Sequence, residues 1–160
     1  MKHHISLIGR DLLVPEVIDR AIELLRPAIE LTNRYTPGSI YGDIASGRHQ
    51  LWLIMREATD AEKVETQQGF VFDAALTTCL EEYPAKKMLR LCFCGGEALD
   101  AWSPEMHQAF VDFAKANECD GIEIVGRQGW PRHLKNHGYE VTGMTCEIFF
   151  PEEKSDEMAA

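Results

Sequence analysis

Residues 88–96 read Met-Leu-Arg-Leu-Cys-Phe-Cys-Gly-Gly, an alternating apolar run that ends in two glycines. The period of two over residues 88–94 predicts a strand, and the glycines predict its end. Two earlier apolar runs, 51–55 and 70–77, have the same strand character. They are separated by a polar connection, and a turn at 83–86 leads into the third run. These three strands predict an antiparallel meander.

Helical patterns lie on both sides of this meander. Before it, the period of 3.6 predicts a helix over 15–31, which Pro27 should kink or break, and a short helix over 40–45. After it, Ser103-Pro104-Glu105 has the cap, proline and acid typical of a helix start. The remaining elements are a strand over 121–125, a short helix over 130–137 that Gly138 ends, and a last strand over 139–150. A strand, helix and strand of these lengths permit a parallel crossover, so the prediction is a mixed α/β sheet.

Composition excludes several classes of protein. The 160 residues carry a net charge of −10, which argues against a general nucleic-acid binder because duplex affinity comes mostly from Lys and Arg. No apolar run is long enough to span a membrane. An odd count of five cysteines, without a disulfide-like framework or a secretory signal, predicts a reducing, cytoplasmic location. We expect one domain over 1–150 and a polar acidic tail over 151–160.

The cysteines and histidines offer candidate metal ligands. Cys92 and Cys94 alternate on one predicted strand and should share a face, but no second Cys/His pair has the matching spacing for zinc. The sequence therefore predicts no metal site. We expect all five cysteines, including Cys79, Cys119 and Cys146, to be small buried apolar residues. His133 and His137 lie four apart on a predicted helix, without the glutamate of the metalloprotease pattern. We expect both to be solvated near the helix end.

One stretch, residues 126–135, is basic in this acidic chain. It could bind an anionic group or an acidic partner. Alternatively, it is a solvated helix face with Trp130 and Leu134 buried beneath it.

This order of elements resembles the GNAT superfamily of N-acetyltransferases, and most closely the GNAT-like proteins of tailed bacteriophages. The resemblance rests on four stretches: the strand that ends in a Gly-Gly pair, 89–96; Trp102 and the helix that it precedes; Gly-Arg-Gln-Gly-Trp at 126–130; and Leu-Lys-Asn-His-Gly-Tyr at 134–139. It implies the GNAT-like acyl-CoA N-acyltransferase fold over nearly the whole chain.

The resemblance also implies a place for acetyl-CoA, between the fourth and fifth strands. Backbone groups of Phe93, Cys94 and Gly95 would hold the cofactor arm. Family members bind the pyrophosphate with a glycine-containing loop at a helix N-terminus, where orphan amides attract an anion. The corresponding residues, 95–102, lack that motif and contain no Lys or Arg; Glu97 and Asp100 lie there instead.

A second departure concerns the tyrosine that protonates the leaving thiolate in many family members. Counting back from Gly138, the matching position is Leu134, which has no proton to donate. The asparagine and small residue that often precede the tyrosine correspond to Arg127 and Trp130.

Two functions follow from this resemblance. The first is a non-catalytic phage-type protein that acts through protein contacts, associated with the virion or with head assembly. Its partner would be a phage structural or assembly protein, and Trp102, Arg127, Trp130 and Arg132 would form the partner or anion surface. The alternative is an acetyl-CoA-dependent N-acetyltransferase acting on an amine or a Lys side chain, with Glu123 as the candidate base. The location would be the host cytoplasm or the virion, and the oligomeric state stays open.

Overall fold

A five-stranded sheet in the order β1-β2-β3-β4-β5 organises the computed structural model, which describes residues 2–126, 130–143 and 145–152. The strands are β1 His3–Leu7, β2 Gln50–Glu57, β3 Phe70–Glu82, β4 Lys87–Gly96 and β5 Gly121–Ile124. The helices are α1 Pro15–Leu31, α2 Pro37–Ala45, α3 Asp60–Thr66, α4 Leu99–Ala116 and α5 Trp130–Leu134. Short 3-10 turns cover Arg10–Leu12 and Lys135–His137. The first four strands are antiparallel, and β5 is parallel to β4, so the predicted mixed α/β sheet is confirmed.

Each face of the sheet carries its own apolar core because strand side chains alternate between faces. On one face, α1 and α2 cover β2, β3 and β4, with Ile18, Leu25, Ile29, Leu53 and Phe93 among the buried residues. On the other face, α4 and α5 pack over Trp52, Ile54, Leu76, Leu89 and Leu91. The fold is therefore three layers, helices on both sides of one sheet.

The two ends of the sheet differ from the prediction. Strand β1, which the sequence analysis did not predict, pairs with β2 at one edge. The predicted last strand over 139–150 is wrong: residues 139–143 and 145–150 contain no strand. The division into a domain over 1–150 and a tail stays a prediction, since 153–160 lie outside the described residues.

Two helix predictions also need correction. Pro27 does not break α1, which continues to Leu31. Helix α4 begins at Leu99, four residues before the predicted cap, so Ser103 and Pro104 lie inside it. Ala98 precedes the helix in the left-handed conformation, and no side chain of the described residues caps it. Among the described residues, no helix is long and apolar enough to cross a membrane.

Candidate functional site

Strands β4 and β5 are paired over only part of their lengths. Their register runs from Met88 opposite Gly121 to Leu91 opposite Ile124, where β5 ends. Strand β4 continues to Gly96, and from Phe93 onwards its sheet partner is β3 alone. The edge of residues 92–96 that would face a longer β5 therefore has no strand beside it in the described part of the chain. We call this gap the β4–β5 opening.

A β-bulge marks the start of this opening. Leu91 pairs with Thr78 and Phe93 with Thr77, so Cys92 is an extra residue in β4. A bulge shifts the alternation of side chains by one position. Cys92 and Phe93 consequently pack towards α1, whereas Cys94 packs in the core on the α4 side. The prediction that Cys92 and Cys94 share a face is wrong for this reason.

Helix α1 crosses directly over the opening at Gly95. A β-carbon on Gly95 would lie 2.1 Å from the carbonyl oxygen of Leu24 and 3.0 Å from the Leu25 Cα. Only glycine permits the helix backbone to approach the strand this closely. The predicted backbone segment of Phe93, Cys94 and Gly95 thus lies at the opening, and α1 fixes its position.

The loop from β4 to α4 is held by bonds to backbone atoms of Glu97. Its N–H donates to the Asp73 carbonyl at 3.0 Å, and its carbonyl accepts from Trp102 Nε1 at 2.9 Å. Trp102 is only 2% exposed, so its predicted place on a partner surface is wrong. It is a core residue whose indole N–H closes the loop. The Glu97 and Asp100 side chains, together with Glu105 in the next turn of α4, are exposed.

A cleft of about 450 Å³ separates the start of α4 from α5. Its walls are Asp100, Ser103 and Pro104 on α4 and Arg132, Asn136 and His137 on the other side. Helix α4 follows β4 and α5 follows β5, so the cleft lies between the segments that leave the opening. Arg132 is exposed and brings positive charge to this cleft. Arg127, the other predicted anion-binding residue, lies outside the described residues.

Trp130 and Leu134 point from α5 towards the sheet. The half-buried Trp130 ring covers Gly126, where a β-carbon would lie 2.4 Å from Trp130 Cδ1. Leu134 is 4% exposed and packs in the core of the α4 face. The position expected for a proton-donating tyrosine is therefore a core position in this chain.

A cluster that the sequence analysis missed joins α4 to the segment after α5. The rings of His107 and His137 stack with centroids 4.6 Å apart, and His107 Nδ1 lies 3.1 Å from Tyr139 Oη. Burial, and to a lesser degree the neighbouring His137, lowers the pKa of His107, while burial raises the pKa of Tyr139 to about 12. His137 is half-buried rather than solvated, and the side chain of His133 lies outside the description. His107 and His137 are 30 residues apart in the sequence, and no local pattern predicts that they meet.

The candidate base Glu123 is half-buried on β5, opposite Arg90 of β4. Glu123 Oε1 accepts from Tyr83 Oη at 2.6 Å and from Arg90 Nε at 2.9 Å. Arg90 Nη2 also donates to Tyr83 Oη at 2.9 Å. The carboxylate that would serve as a base is thus engaged by two donors, and its catalytic role stays a prediction.

Solved structures with the same architecture were found by comparison. A predicted acetyltransferase from Clostridium acetobutylicum, solved with acetyl-CoA, matches with a TM-score of 0.62 at 10% identity, covering 92% of this chain and 96% of that one. An acetyltransferase from Trypanosoma brucei matches with a TM-score of 0.61 at 6% identity, covering 93% and 100%. This chain has the GNAT acetyltransferase fold. Glucosamine-6-phosphate N-acetyltransferase from Arabidopsis thaliana shares that fold, with a TM-score of 0.58 at 13% identity and coverage of 94% and 100%.

No protein-family model matches the chain, and no curated protein matches it in sequence. The GNAT fold thus rests on architecture, while the bacteriophage relation inferred from the sequence stays a prediction. Of the predicted site residues, 93–95 lie at the opening, Trp130 and Arg132 lie on α5, and Trp102 is in the core.

Proposed function

We propose that this protein binds an acyl-CoA thioester in the β4–β5 opening and acts as a GNAT-type N-acetyltransferase on an amine. The observation that carries the proposal is that β4 continues to Gly96, whereas its pairing with β5 ends at Leu91 and Ile124. The arm of CoA contains two amide groups, which can hydrogen-bond to a strand edge as another strand would. This mode of binding uses backbone N–H and C=O groups of β4 only. It therefore does not depend on the phosphate-loop motif or on the tyrosine, both of which this chain lacks.

The phosphates of CoA need positive charge, and the loop after β4 supplies none. We assign this role to Arg132, on the far wall of the cleft beside the opening. A guanidinium presents a planar fork that suits two phosphate oxygens. Asp100 faces the same cleft, which makes the site weaker for anions than an all-basic one.

Transfer of the acyl group forms a bond from the amine nitrogen to the acyl carbon and breaks the carbon–sulfur bond. The amine must lose one proton, and the departing thiolate must gain one. Bound acyl-CoA supplies the acyl group and the thiolate. Leu134 cannot donate a proton, so the chain contributes by holding the reactants in place, with His137 on the cleft wall and Glu123 on β5 as the groups that can move a proton.

Calorimetric titration of the full chain with acetyl-CoA tests this proposal. We expect one site with a dissociation constant in the micromolar range and a ligand-dependent rise in melting temperature. Replacing Arg132 with Ala should weaken binding about tenfold, the lower end of what one hydrogen bond to a charged group contributes, because Arg132 is exposed. The matched control is Arg20→Ala on α1, at the opposite face of the sheet, which should change nothing. Release of free CoA thiol in the presence of amines would then report turnover.

A second candidate is the non-catalytic protein that acts through contacts with a partner. The observations that favour it are the buried Leu134 and the acidic side chains beside the opening. The phage virion or head-assembly role belongs to this candidate. Absence of heat and of any thermal shift at millimolar acetyl-CoA would reject the enzyme and leave this second function.

A further inference from the structure

Three potential metal ligands, far apart in sequence, meet where β2, β3 and β4 lie side by side. Gln50 pairs with Thr78, so His49, directly before β2, lies beside Cys79. Cys79 in turn pairs with Arg90, two residues before Cys92. One ring nitrogen of His49 and the two Sγ atoms all lie within 4.8 Å of one another. The sulfur atoms are 3.1 Å apart.

His49 has one ring nitrogen without a hydrogen-bond partner among the described residues. The residue is 9% exposed, and its Nδ1 is buried without a hydrogen-bond partner among the described residues. Its Nε2 lies 3.9 Å from Asp43 Oδ2. A buried polar atom without a partner costs about 1–3 kcal/mol, and a water or an ion at the site is one explanation for such an atom in a native protein. A metal ion bound through Nδ1 would satisfy this nitrogen.

The chemistry of the donors selects the ligand. Two thiols and one imidazole are the soft and borderline donors that zinc prefers, and calcium or magnesium would require oxygen. A carboxylate is also close, because Cys79 Sγ donates to Glu81 Oε1 at 3.4 Å. Sulfurs on tetrahedral zinc, each about 2.3 Å from the metal, lie about 3.8 Å apart. The observed separation needs only small side-chain rotations to reach that value.

We propose that His49, Cys79 and Cys92 bind one zinc ion, and that the Glu81 carboxylate, 3.4 Å from Cys79 Sγ, rotates towards the ion to become the fourth ligand. Four protein ligands make a closed site, which is typical of structural rather than catalytic zinc. No metal site was predicted from the sequence, because the period-two pattern put Cys92 together with Cys94. The bulge places these two cysteines on opposite faces of the sheet. The half-buried Cys92 gives the ion a route of entry.

The site also adjoins the β4–β5 opening, because Cys92 is the bulged residue and Phe93 follows it directly. A bulge is a local irregularity that a bound ion would hold in one conformation. Zinc would therefore stabilise the backbone that borders the opening. The metal proposal itself rests on the cluster alone and does not require the proposed acetyltransferase activity.

Metal binding by the full-length chain tests the proposal directly. The protein is purified in reducing conditions, treated with a chelator, desalted and titrated with Co²⁺ and then with Zn²⁺. We expect one equivalent of Co²⁺ to produce thiolate-to-cobalt charge-transfer absorption and the visible bands of a tetrahedral ion, which Zn²⁺ then abolishes. Zinc should raise the melting temperature in proportion to the logarithm of its free concentration.

Variants assign the ligands. Cys79→Ser, Cys92→Ser and His49→Gln should each weaken binding at least tenfold, since even groups that only hydrogen-bond to a metal ligand contribute that much. Cys119→Ser is the matched control, because Cys119 is a half-buried cysteine outside the cluster and should bind normally. Circular dichroism checks that each variant is folded. If a variant is not folded, the cobalt spectrum of the unmodified chain still shows whether the protein binds the metal through thiolates.

Three results would overturn the proposal. One is the absence of cobalt–thiolate absorption at micromolar protein and metal. Another is an equal loss of binding in Cys119→Ser and in the cluster variants. The third is a Cys79–Cys92 disulfide, found by mass spectrometry after purification without reductant, in a protein that takes up no metal when reduced.

Discussion

Gly95 of β4 lies directly beneath Leu24 of α1, and a β-carbon there would be 2.1 Å from the Leu24 carbonyl oxygen. The contact is with backbone, so rotation of a side chain cannot relieve it. Gly95→Ala should therefore force α1 away from β4 and lower the free energy of unfolding by about 1–3 kcal/mol, the usual cost of overpacking. Urea denaturation measures this change.

The control for this variant is Gly42→Ala in α2. Apart from the nearby backbone of α2 itself, no atom lies within 4 Å of the added β-carbon there, and alanine is the better helix former by about 1 kcal/mol. We expect Gly42→Ala to be neutral or stabilising. Equal stability of the two alanine variants would show that α1 does not press on Gly95.

Two neighbouring threonines on β3 should respond in opposite ways to replacement by valine. Thr77 and Thr78 are both 0% exposed. Thr77 Oγ1 has no hydrogen-bond partner among the described residues, so Thr77→Val removes an unsatisfied hydroxyl and should stabilise by about 1 kcal/mol. Thr78 Oγ1 accepts from Trp52 Nε1 at 2.9 Å, and Thr78→Val would leave that N–H unpaired at a cost of about 1–3 kcal/mol.

Thermal unfolding of both valine variants gives the comparison. Valine keeps the branched shape and strand preference of threonine, so the hydroxyl is the only large difference. A loss of stability in Thr77→Val as large as that in Thr78→Val would show that the Thr77 hydroxyl is bonded in solution.

The sequence predicted the parts of the fold that local patterns determine. The meander, α1 and the crossover through α4 have long periodic runs, and all three are present. Strand β1 was missed because His3–Leu7 is short and lies at a sheet edge, where pairing with β2 rather than its own pattern makes it a strand. The start of α4 was misplaced because Ser103 and Pro104 look like a cap, whereas Trp102 bonding to Glu97 places the first turn earlier.

The site was predicted less well, because it depends on contacts between strands. Residues 93–95 were identified through the resemblance to GNAT proteins. The bulge at Cys92 is invisible to a period-two pattern, so the true neighbour of Cys92, Cys79, was not found. No spacing rule connects His49 with either cysteine, since strand register alone brings them together.

Glu62 links α3 to the sheet through an ion pair whose pH dependence can be measured. Arg56 Nη1 donates to Glu62 Oε1 at 2.7 Å and Arg56 Nη2 to Oε2 at 2.9 Å. These bonds, with those from Thr59, hold the pKa of Glu62 at about 2, below its usual value of 4.5. A lowered carboxyl pKa stabilises the folded state above about pH 4.5, and the contribution is lost as pH falls towards 2.

Glu62→Gln isolates this charge, because glutamine still completes the capping box with Thr59. The wild-type protein should melt at a higher temperature than the variant at pH 5 to 7. The gap should close as pH falls from about 4.5 to about 2. Glu65→Gln, an exposed change on the same helix, should show no such closing gap. A gap that is constant with pH would contradict the prediction.

The acidic side chains beside the opening should oppose binding of acetyl-CoA. Glu97 and Asp100 are exposed next to the start of α4, where the phosphates would come near. A like charge within about 4–8 Å costs about 0.5–1 kcal/mol in water, so Glu97→Gln combined with Asp100→Asn should tighten binding about 5- to 30-fold. The gain should shrink as salt is added, because ions screen exposed charges.

The matched control changes the same net charge on the other side of the sheet, with Glu16→Gln and Asp19→Asn on the exposed face of α1. Calorimetry at low and at physiological ionic strength compares the two double variants. If both double variants tighten binding equally, the total charge of the protein controls the affinity. The prediction that Glu97 and Asp100 repel the phosphates locally would then be wrong. If neither variant nor the wild type binds at millimolar acetyl-CoA, the acyl-CoA site itself is wrong. Tightening in the loop variant alone would place the phosphates beside the start of α4.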